Sequence, residues 1–174
     1  MTAELSIVIA TRNAEALLPA TVEPLMEGLR AGLIRDLLIA DGGSADATRR
    51  IADAVGAEVV EGPADRDALV RLGVAQAKGA WVLALAPGTR LGEGWADLVA
   101  DHMRGKGGAA CFRLVPRGGG LAVRLACLRA NLRTRLTGGV TARQGLLAPR
   151  RGWGAGRVRV LDVALYTAGL SDAL

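Results

Sequence analysis

The residues Leu37-Leu38-Ile39-Ala40-Asp41-Gly42-Gly43-Ser44-Ala45-Asp46 are the strongest indication of the fold in this sequence. Its four apolar residues predict a strand that is buried on both faces, and the two glycines predict a sharp turn after the strand. Thr48 then begins a predicted helix that runs to Val55. A strand that delivers an acidic residue into a glycine turn before a helix is the arrangement with which α/β proteins build nucleotide sites.

The alternation of strand and helix extends over the first 101 residues. Short apolar runs predict strands, and apolar residues at intervals of three and four predict helices. This order favours right-handed crossovers, so we expect one α/β domain with a Rossmann-like, mostly parallel central sheet flanked by helices. The predicted strands are 5–10, 37–41, 58–61, 81–86, 109–115 and 158–166, and the predicted helices are 17–29, 48–55, 65–77, 94–104 and 121–136.

Charge is distributed unevenly along the chain. Residues 1–101 carry 9 basic and 15 acidic side chains, whereas residues 102–174 carry 13 basic and 2 acidic ones. A positive surface of this kind attracts nucleotide phosphates, an acidic protein partner or an anionic membrane surface. Nucleic acid is not an expected partner, because no aromatic residues are interleaved with the basic ones for base stacking.

A basic amphipathic helix is predicted in the second half. Its apolar stripe is flanked by arginines that lie largely off the stripe. Two interpretations remain open: a core helix with a solvated basic face, or a helix that docks on a membrane surface or a partner. The stripe consists of Leu121, Leu125, Leu128, Leu132 and Leu136, and the arginines are Arg124, Arg129, Arg133 and Arg135.

The sequence offers no sign of a membrane span or of a secretory signal. No apolar run approaches the roughly 20 residues that cross a bilayer, and the first residues lack a basic signal region. We therefore expect a cytoplasmic protein, with attachment to the cytoplasmic face of a membrane as the alternative.

Three segments resemble family 2 glycosyltransferases of the GT-A fold: 6–13 (Ser-Ile-Val-Ile-Ala-Thr-Arg-Asn), 41–48 (Asp-Gly-Gly-Ser-Ala-Asp-Ala-Thr) and 76–79 (Gln-Ala-Lys-Gly). The likeness continues in patches over 144–150 and 157–167. In particular, the chain resembles a short bacterial subgroup associated with radical-SAM and selenium-related gene neighbourhoods. The resemblance divides the single domain, 1–174, into a nucleotide-binding half, 1–101, and a basic, shortened acceptor half, 102–174.

The resemblance implies transfer of a sugar from a nucleoside diphosphate to an acceptor. Thr11, Asn13 and Asp41 are the implied donor contacts, and the turn at Gly42 and Gly43 would let a ligand approach the backbone. The alternative for Asp41 is a helix-entry turn in which the carboxylate satisfies nearby amides.

The resemblance also places Arg66 near the donor diphosphate. A surface charge at the start of a helix is an equally good interpretation of this residue.

Two departures from the family pattern concern the metal and the diphosphate. Relatives carry an acid-x-acid or histidine-x-acid pair after the fourth strand, because a divalent ion needs oxygen ligands there. The matching positions here are Ala86 and Gly88, so no metal cofactor is expected. Relatives also show Gly-Asp-Gln-Gly where this chain has Ala142-Arg143-Gln144-Gly145, which replaces an acid with a base.

The third departure concerns the base that accepts the proton of the acceptor hydroxyl. After Gly145 the only acidic residues are Asp162 and Asp172. Asp162 is the base if it aligns with the acidic pair of relatives. In the alignment that we favour, 157–162 matches the strand after that pair, and the acidic helix is deleted.

Two hypotheses follow from these departures. In the first, an active transferase uses Arg143, Arg150 or Arg151 to neutralise the diphosphate and Asp162 as base. In the second, a non-catalytic relative binds a sugar nucleotide or docks through its basic half on a protein complex or a membrane. Three missing acidic sites favour loss of transfer.

Overall fold

A mixed β-sheet organises the computed structural model, which describes residues 3–105, 107–116, 118, 120–154 and 158–167. Within these residues the strands are β1 (Leu5–Thr11), β2 (Ile34–Asp41), β3 (Glu58–Glu61), β4 (Trp81–Leu85), β5 (Thr89–Leu91), β6 (Ala110–Pro116), β7 (Leu146–Pro149) and β8 (Arg159–Thr167). The helices are α1 (Leu18–Val22), α2 (Leu25–Arg30), α3 (Thr48–Ala54), α4 (Arg66–Gln76), α5 (Trp95–Arg104) and α6 (Leu121–Thr137), with a 3-10 turn at Ala142–Gln144.

The strand order is β3-β2-β1-β4-β7-β6-β8-β5. The first four strands in this order are parallel, β7 is antiparallel to both β4 and β6, and β8 is parallel to β6 and antiparallel to β5. Thr11 at the end of β1 lies in register with Asp41 at the end of β2. The carboxyl ends of the parallel strands therefore meet at one edge of the sheet, as the sequence predicts.

The central strands carry the core because they are buried on both faces. Every residue of β1 and of β4 is buried. On one face Ile7 and Leu83 join a cluster that includes Trp95 of α5, while on the other Val8 and Val82 pack with α4. The nearly continuous apolar runs of these strands are thus explained by burial on two sides.

The expected α/β domain is confirmed, with some differences in its elements. The predicted helix 17–29 is two helices, because α1 ends before Pro24, which has no N–H to continue the helical ladder. Strands β5 and β7 were not predicted. Among the described residues, none of the helices is long and apolar enough to cross a bilayer.

Helix α6 packs in the opposite sense to a core helix. Its five leucines are exposed, whereas Cys127 and Thr134 are buried. The side chain of Asn131 fixes this orientation, because it accepts from Leu114 N and donates to Leu114 O of β6, each at 2.9 Å. The interpretation in which the leucine stripe lies on the core is therefore wrong.

The contact between α4 and β1 yields a stability prediction at Gly73. A Cβ at this position would lie 2.4 Å from Val8 Cγ1. Alanine normally stabilises a helix relative to glycine by roughly 0.5–1 kcal/mol, but here we expect Gly73→Ala to lower the free energy of unfolding by about 1–3 kcal/mol through overpacking. Urea unfolding followed by circular dichroism measures the difference.

The double variant Val8→Ala/Gly73→Ala is the matched control, because it removes the side chain that the new methyl group meets. We expect Gly73→Ala to lower the free energy of unfolding less in the Val8→Ala background than in the wild type. A Gly73→Ala variant as stable as the wild type contradicts the close approach of the two elements.

Candidate functional site

Asp41 lies at the centre of the carboxyl edge, where its side chain is fully buried. Its Oδ1 accepts hydrogen bonds from Thr11 Oγ1 at 3.1 Å and from Ser44 Oγ. Its Oδ2 accepts from Ser44 N at 2.9 Å and from Arg49 Nε at 3.0 Å. A carboxylate has about four lone-pair sites, so donors within the described residues already occupy each of them.

These contacts keep the buried carboxylate charged. Burial raises the pKa of Asp41, but hydrogen bonds from Ser44, Arg49 and Thr11 outweigh it and hold the pKa below its usual value. The carboxylate therefore acts as a fixed negative charge that orients three surrounding side chains.

Two loops at this edge bind each other through side chains. Asn13, which has a φ of 50°, accepts from Ala45 N through Oδ1 and donates its own N–H to Ser44 Oγ, both at 2.9 Å. Glu15 Oε2 accepts from Ala47 N at 2.7 Å. The geometry at Asp41 thus matches the helix-entry turn that the sequence offered as an alternative. Direct contacts of Thr11, Asn13 and Asp41 with a sugar nucleotide stay a prediction.

The two turn glycines have different reasons to lack a side chain. A Cβ on Gly42 would lie 3.1 Å from Leu69 Cδ1 and 3.2 Å from Ala64 Cα. Gly43 has a φ of +82° with open space around it, so its backbone is accessible from solvent. Of the pair, Gly43 is the position at which a ligand can approach the main chain.

Arg66 begins α4 and borders a cleft of about 610 Å³. Asp65 caps the helix by accepting from Ala68 N at 2.7 Å, which fixes the position of Arg66 at its first turn. Burial lowers the pKa of the Arg66 guanidinium below its usual value. The cleft lies between α4 and the segment around the 3-10 turn, and its wall includes Arg71, Ala84, Thr141, Gly145 and Trp153.

The turn after β4 carries no side-chain ligand at the positions expected for a metal pair. Ala86 is buried, and Gly88 has a φ of +80° and donates its N–H to Thr21 Oγ1 at 2.9 Å. In the part of the chain that the structure describes, no group of three or more His, Cys, Asp or Glu residues is placed to hold a metal ion.

The three predicted phosphate-binding arginines lie in different places. Arg143 stands in the 3-10 turn two residues before Gly145, on the carboxyl side of β4, and its buried Nη1 has no hydrogen-bond partner among the described residues. Arg150 lies at the opposite edge, where its Nη1 donates to Ala77 O at 2.8 Å. Arg151 lines a smaller cleft, of about 430 Å³, with Arg150 and Trp153. The structure brings only Arg143 toward the carboxyl edge.

Asp162 is remote from Thr11 and Asp41 in the sheet. Strand β8, which carries it, is separated from β4 by β7 and β6. Its side chain is 87% exposed, and Oδ1 lies 3.3 Å from Arg113 Nε. The other acid considered in the sequence, Asp172, lies outside the described residues. The structure thus does not bring Asp162 together with the predicted donor contacts.

Sequence reasoning missed two residues that hold the site in shape. Arg49 bridges Asp41 and Glu61, at 3.0 and 2.7 Å. Gln144 is fully buried, and its Oε1 accepts from Thr134 Oγ1 at 2.9 Å and from Thr141 N at 2.9 Å. The spacing Thr141-x-x-Gln144 is a capping-box signature and was available as a signal.

The charge on Asp41 yields a prediction about pH. At neutral pH we expect Asp41→Asn to lower the free energy of unfolding by about 2–4 kcal/mol, because an amide points a donor toward existing donors and loses the charge that Arg49 faces. Since the pKa of Asp41 is lowered in the folded state, this stabilisation is present above the usual value of 3.8 and is lost as the pH falls below it.

Urea unfolding at pH 7, 5, 4 and 3 measures this dependence. The difference between wild type and Asp41→Asn should shrink toward the lowest pH. Asp53→Asn, an exposed change on α3, is the control and should alter stability by less than about 0.5 kcal/mol. A difference that stays constant down to pH 3 contradicts the role of the charge.

Known proteins share this fold. Glucosyl-3-phosphoglycerate synthase from Mycobacterium tuberculosis, in complex with Mn²⁺ and UDP-glucose, is 18% identical with a TM-score of 0.69, over 98% of this chain and 72% of that chain. Mannosyl-3-phosphoglycerate synthase from Rubrobacter xylanophilus is 20% identical with a TM-score of 0.68, over 98% of this chain and 68% of that chain. These similarities confirm the expected GT-A fold. A comparison with curated protein sequences finds no match.

We expected no metal cofactor because Ala86 and Gly88 replace the metal-binding pair, and this expectation is wrong. A solved structure of this fold holds Mn²⁺ together with UDP-glucose. Loss of the acid-x-acid pair therefore does not establish that a metal is dispensable.

A family model agrees with the fold and with the segments singled out in the sequence. The model described as glycosyl transferase family 2 matches residues 6–113. The matched region includes the turn at Asp41, the start of α4 and the end of β4. Because this match covers more than half of the chain, the chain belongs to glycosyl transferase family 2.

Proposed function

We propose that the chain binds a nucleoside diphosphate sugar at the carboxyl edge of β1, β2 and β4, with the diphosphate in the cleft beside Arg66. The observation that carries this proposal is the position of Arg66, half-buried at the first turn of α4 and on the wall of a cleft of about 610 Å³. That volume lies within the range of about 300–1,000 Å³ typical of small-molecule sites.

The charge of the cleft supports an anionic ligand. Arg66 and Arg71 line it together with one acid, Asp67, whose carboxylate is 79% exposed and 4.0 Å from the Arg66 guanidinium. Guanidinium groups present paired donors that match phosphate oxygens, and partial burial strengthens such contacts. The cleft therefore favours a diphosphate over a neutral ligand.

Asp41 supports this site by positioning its neighbours. Its oxygens already accept from Thr11, Ser44 and Arg49, so it holds the two loops in place, while the open backbone of Gly43 and the exposed Asn13 face the solvent where a nucleoside would lie. A pre-formed loop reduces the ordering that a ligand must impose when it binds.

The solved structures support the ligand class. The synthase from M. tuberculosis was crystallised with Mn²⁺ and UDP-glucose, and in another structure with phosphoglyceric acid as well. We therefore use UDP and UDP-glucose as the first probes, with and without Mn²⁺.

Binding without sugar transfer is the function that the described residues support best. The predicted base, Asp162, is exposed, pairs with Arg113 and lies three strands from β4. A general base must reach the proton that it removes, directly or through one water. Loss of transfer is thus part of this proposal.

A second candidate function is a non-catalytic, accessory role through the basic half. The exposed leucines of α6 favour it, because a soluble monomer seldom presents so many apolar side chains in one line. Membership of the radical-SAM-associated subgroup stays a prediction, since the family model covers the family as a whole.

The binding proposal predicts a specific effect at Arg66. We expect Arg66→Ala to raise the Kd for UDP at least about tenfold, because charged hydrogen bonds contribute roughly 1.5–3 kcal/mol and 1.4 kcal/mol is tenfold. Isothermal titration calorimetry with UDP, GDP, dTDP and UDP-glucose measures this change in the presence and in the absence of Mn²⁺.

Arg35→Ala is the matched control for this titration. It removes the same charge from an exposed position on β2, at the opposite end of the strand from Asp41. We expect its Kd to equal that of the wild type. If the wild type and Arg66→Ala bind UDP equally, the diphosphate does not lie in this cleft. If no nucleotide gives a heat of binding, the proposal is refuted.

Loss of transfer is tested by release of UDP from UDP-glucose in the presence of Mn²⁺ and phosphoglyceric acid, the acid bound by the relative. We expect the wild type and Asp162→Asn to release UDP no faster than the buffer blank, while both bind UDP equally. Release by the wild type that disappears in Asp162→Asn would restore Asp162 as the catalytic base.

A further inference from the structure

Helix α6 presents a continuous apolar ridge to the solvent. The exposed fractions of its leucines range from 49% to 72%. At about 100° per residue these leucines fall within an arc of about 80° that faces away from the buried Cys127 and Thr134. The ridge consists of Leu121, Leu125, Leu128, Leu132 and Leu136.

Arginines flank the leucine ridge on both sides. Arg129 and Arg133 lie on one side of it and Arg124 and Arg135 on the other, and all four residues are exposed. No acidic residue lies on α6 or anywhere in the sequence between Asp101 and Asp162. Leucines on the centre line can enter the apolar layer of a bilayer while arginines along both margins reach the anionic headgroups.

We propose that α6 docks the protein on an anionic lipid surface, with the leucine ridge inserted between headgroups and the flanking arginines bound to their phosphates. Arginine stems can extend along apolar surface while the guanidinium stays in the polar layer. The inference goes beyond the proposed nucleotide site, because α6 contributes none of the residues that line that cleft.

A second copy of the chain is a poorer occupant of this ridge. Two α6 helices packed through their leucines bring the four flanking arginines of each copy together without an acid on either helix. Like charges in close contact oppose association.

A protein partner is also a poorer fit. The ridge is convex and carries no tryptophan or tyrosine, the aromatic residues that anchor many protein interfaces in pockets. Its arginines lie at the margins, where charged pairs contribute little to protein affinity but can bind headgroup phosphates. A bilayer surface adapts to a convex helix and needs no complementary groove.

The internal contacts of α6 keep the ridge exposed. Asn131 pairs with the backbone of Leu114, and Thr134 Oγ1 donates to the buried Gln144 at 2.9 Å. Gln144 in turn accepts from Thr141, which lies on the wall of the Arg66 cleft. The helix is thus held on the domain by the side that carries Asn131 and Thr134, and docking needs no refolding.

Vesicle co-sedimentation tests the proposal with the full chain. Liposomes of phosphatidylcholine alone are compared with liposomes that contain phosphatidylserine, at low and at high NaCl. We expect binding to the anionic liposomes, loss of most of it at high salt because the charges are screened, and little binding to the neutral ones.

Two variants separate the apolar from the charged contribution. Leu128→Ser/Leu132→Ser should weaken binding to anionic liposomes at least tenfold, and Arg129→Glu/Arg133→Glu should abolish its salt dependence along with most of the binding. Arg30→Glu/Arg35→Glu, at exposed positions on α2 and β2, reverses the same two charges away from α6 and should retain binding. Far-UV circular dichroism and the Kd for UDP report whether each variant keeps its fold, so a failed nucleotide site and a failed membrane site are distinguished.

Failure of the wild type to bind anionic liposomes overturns the proposal. A concentration-dependent dimer in sedimentation velocity that Leu128→Ser/Leu132→Ser abolishes would, together with that failure, assign the ridge to a second copy. Equal binding to neutral and anionic liposomes would refute the role of the arginines.

Discussion

The buried charge of Asp41 is the constraint on which the site depends. A carboxylate with no exposed surface must find its hydrogen-bond donors within the protein, and here they come from β1, from the turn after β2 and from α3. These three segments are fixed relative to one another because they share one anion. The position of the open Gly43 backbone follows from that arrangement. So does the orientation of the Arg49 guanidinium, which also pairs with Glu61.

The fold could be predicted from the sequence where burial is two-sided. β1 and β4 are nearly continuous apolar runs because helices cover both of their faces. β5 and β7 were not predicted because β5 has three residues and β7 ends at Pro149. Neither strand is long enough to show an alternation of apolar and polar residues. The orientation of α6 was left open for a different reason, since helical periodicity identifies a stripe and does not say which face the domain covers.

The candidate site could be predicted in kind but not in its contacts. Thr11 and Asp41 were expected at one edge, and parallel register places them side by side. That the carboxylate is saturated could not be seen, because one of its donors, Arg49, lies eight residues away on a helix whose rotation is set by packing. The distance between β4 and Asp162 likewise depends on two intervening strands, which the chain supplies in an order that local patterns do not encode.

The pairing of Asn131 with Leu114 has a consequence for solubility. β6 contacts β7 in register only at Ala110, so the strand beyond it has an open flank that α6 covers with a carboxamide in place of a neighbouring strand. An uncovered strand edge is a template for pairing with other chains. Separation of α6 from the sheet would expose such an edge. The helix that presents apolar residues to the solvent thus also protects the domain from aggregation through this strand.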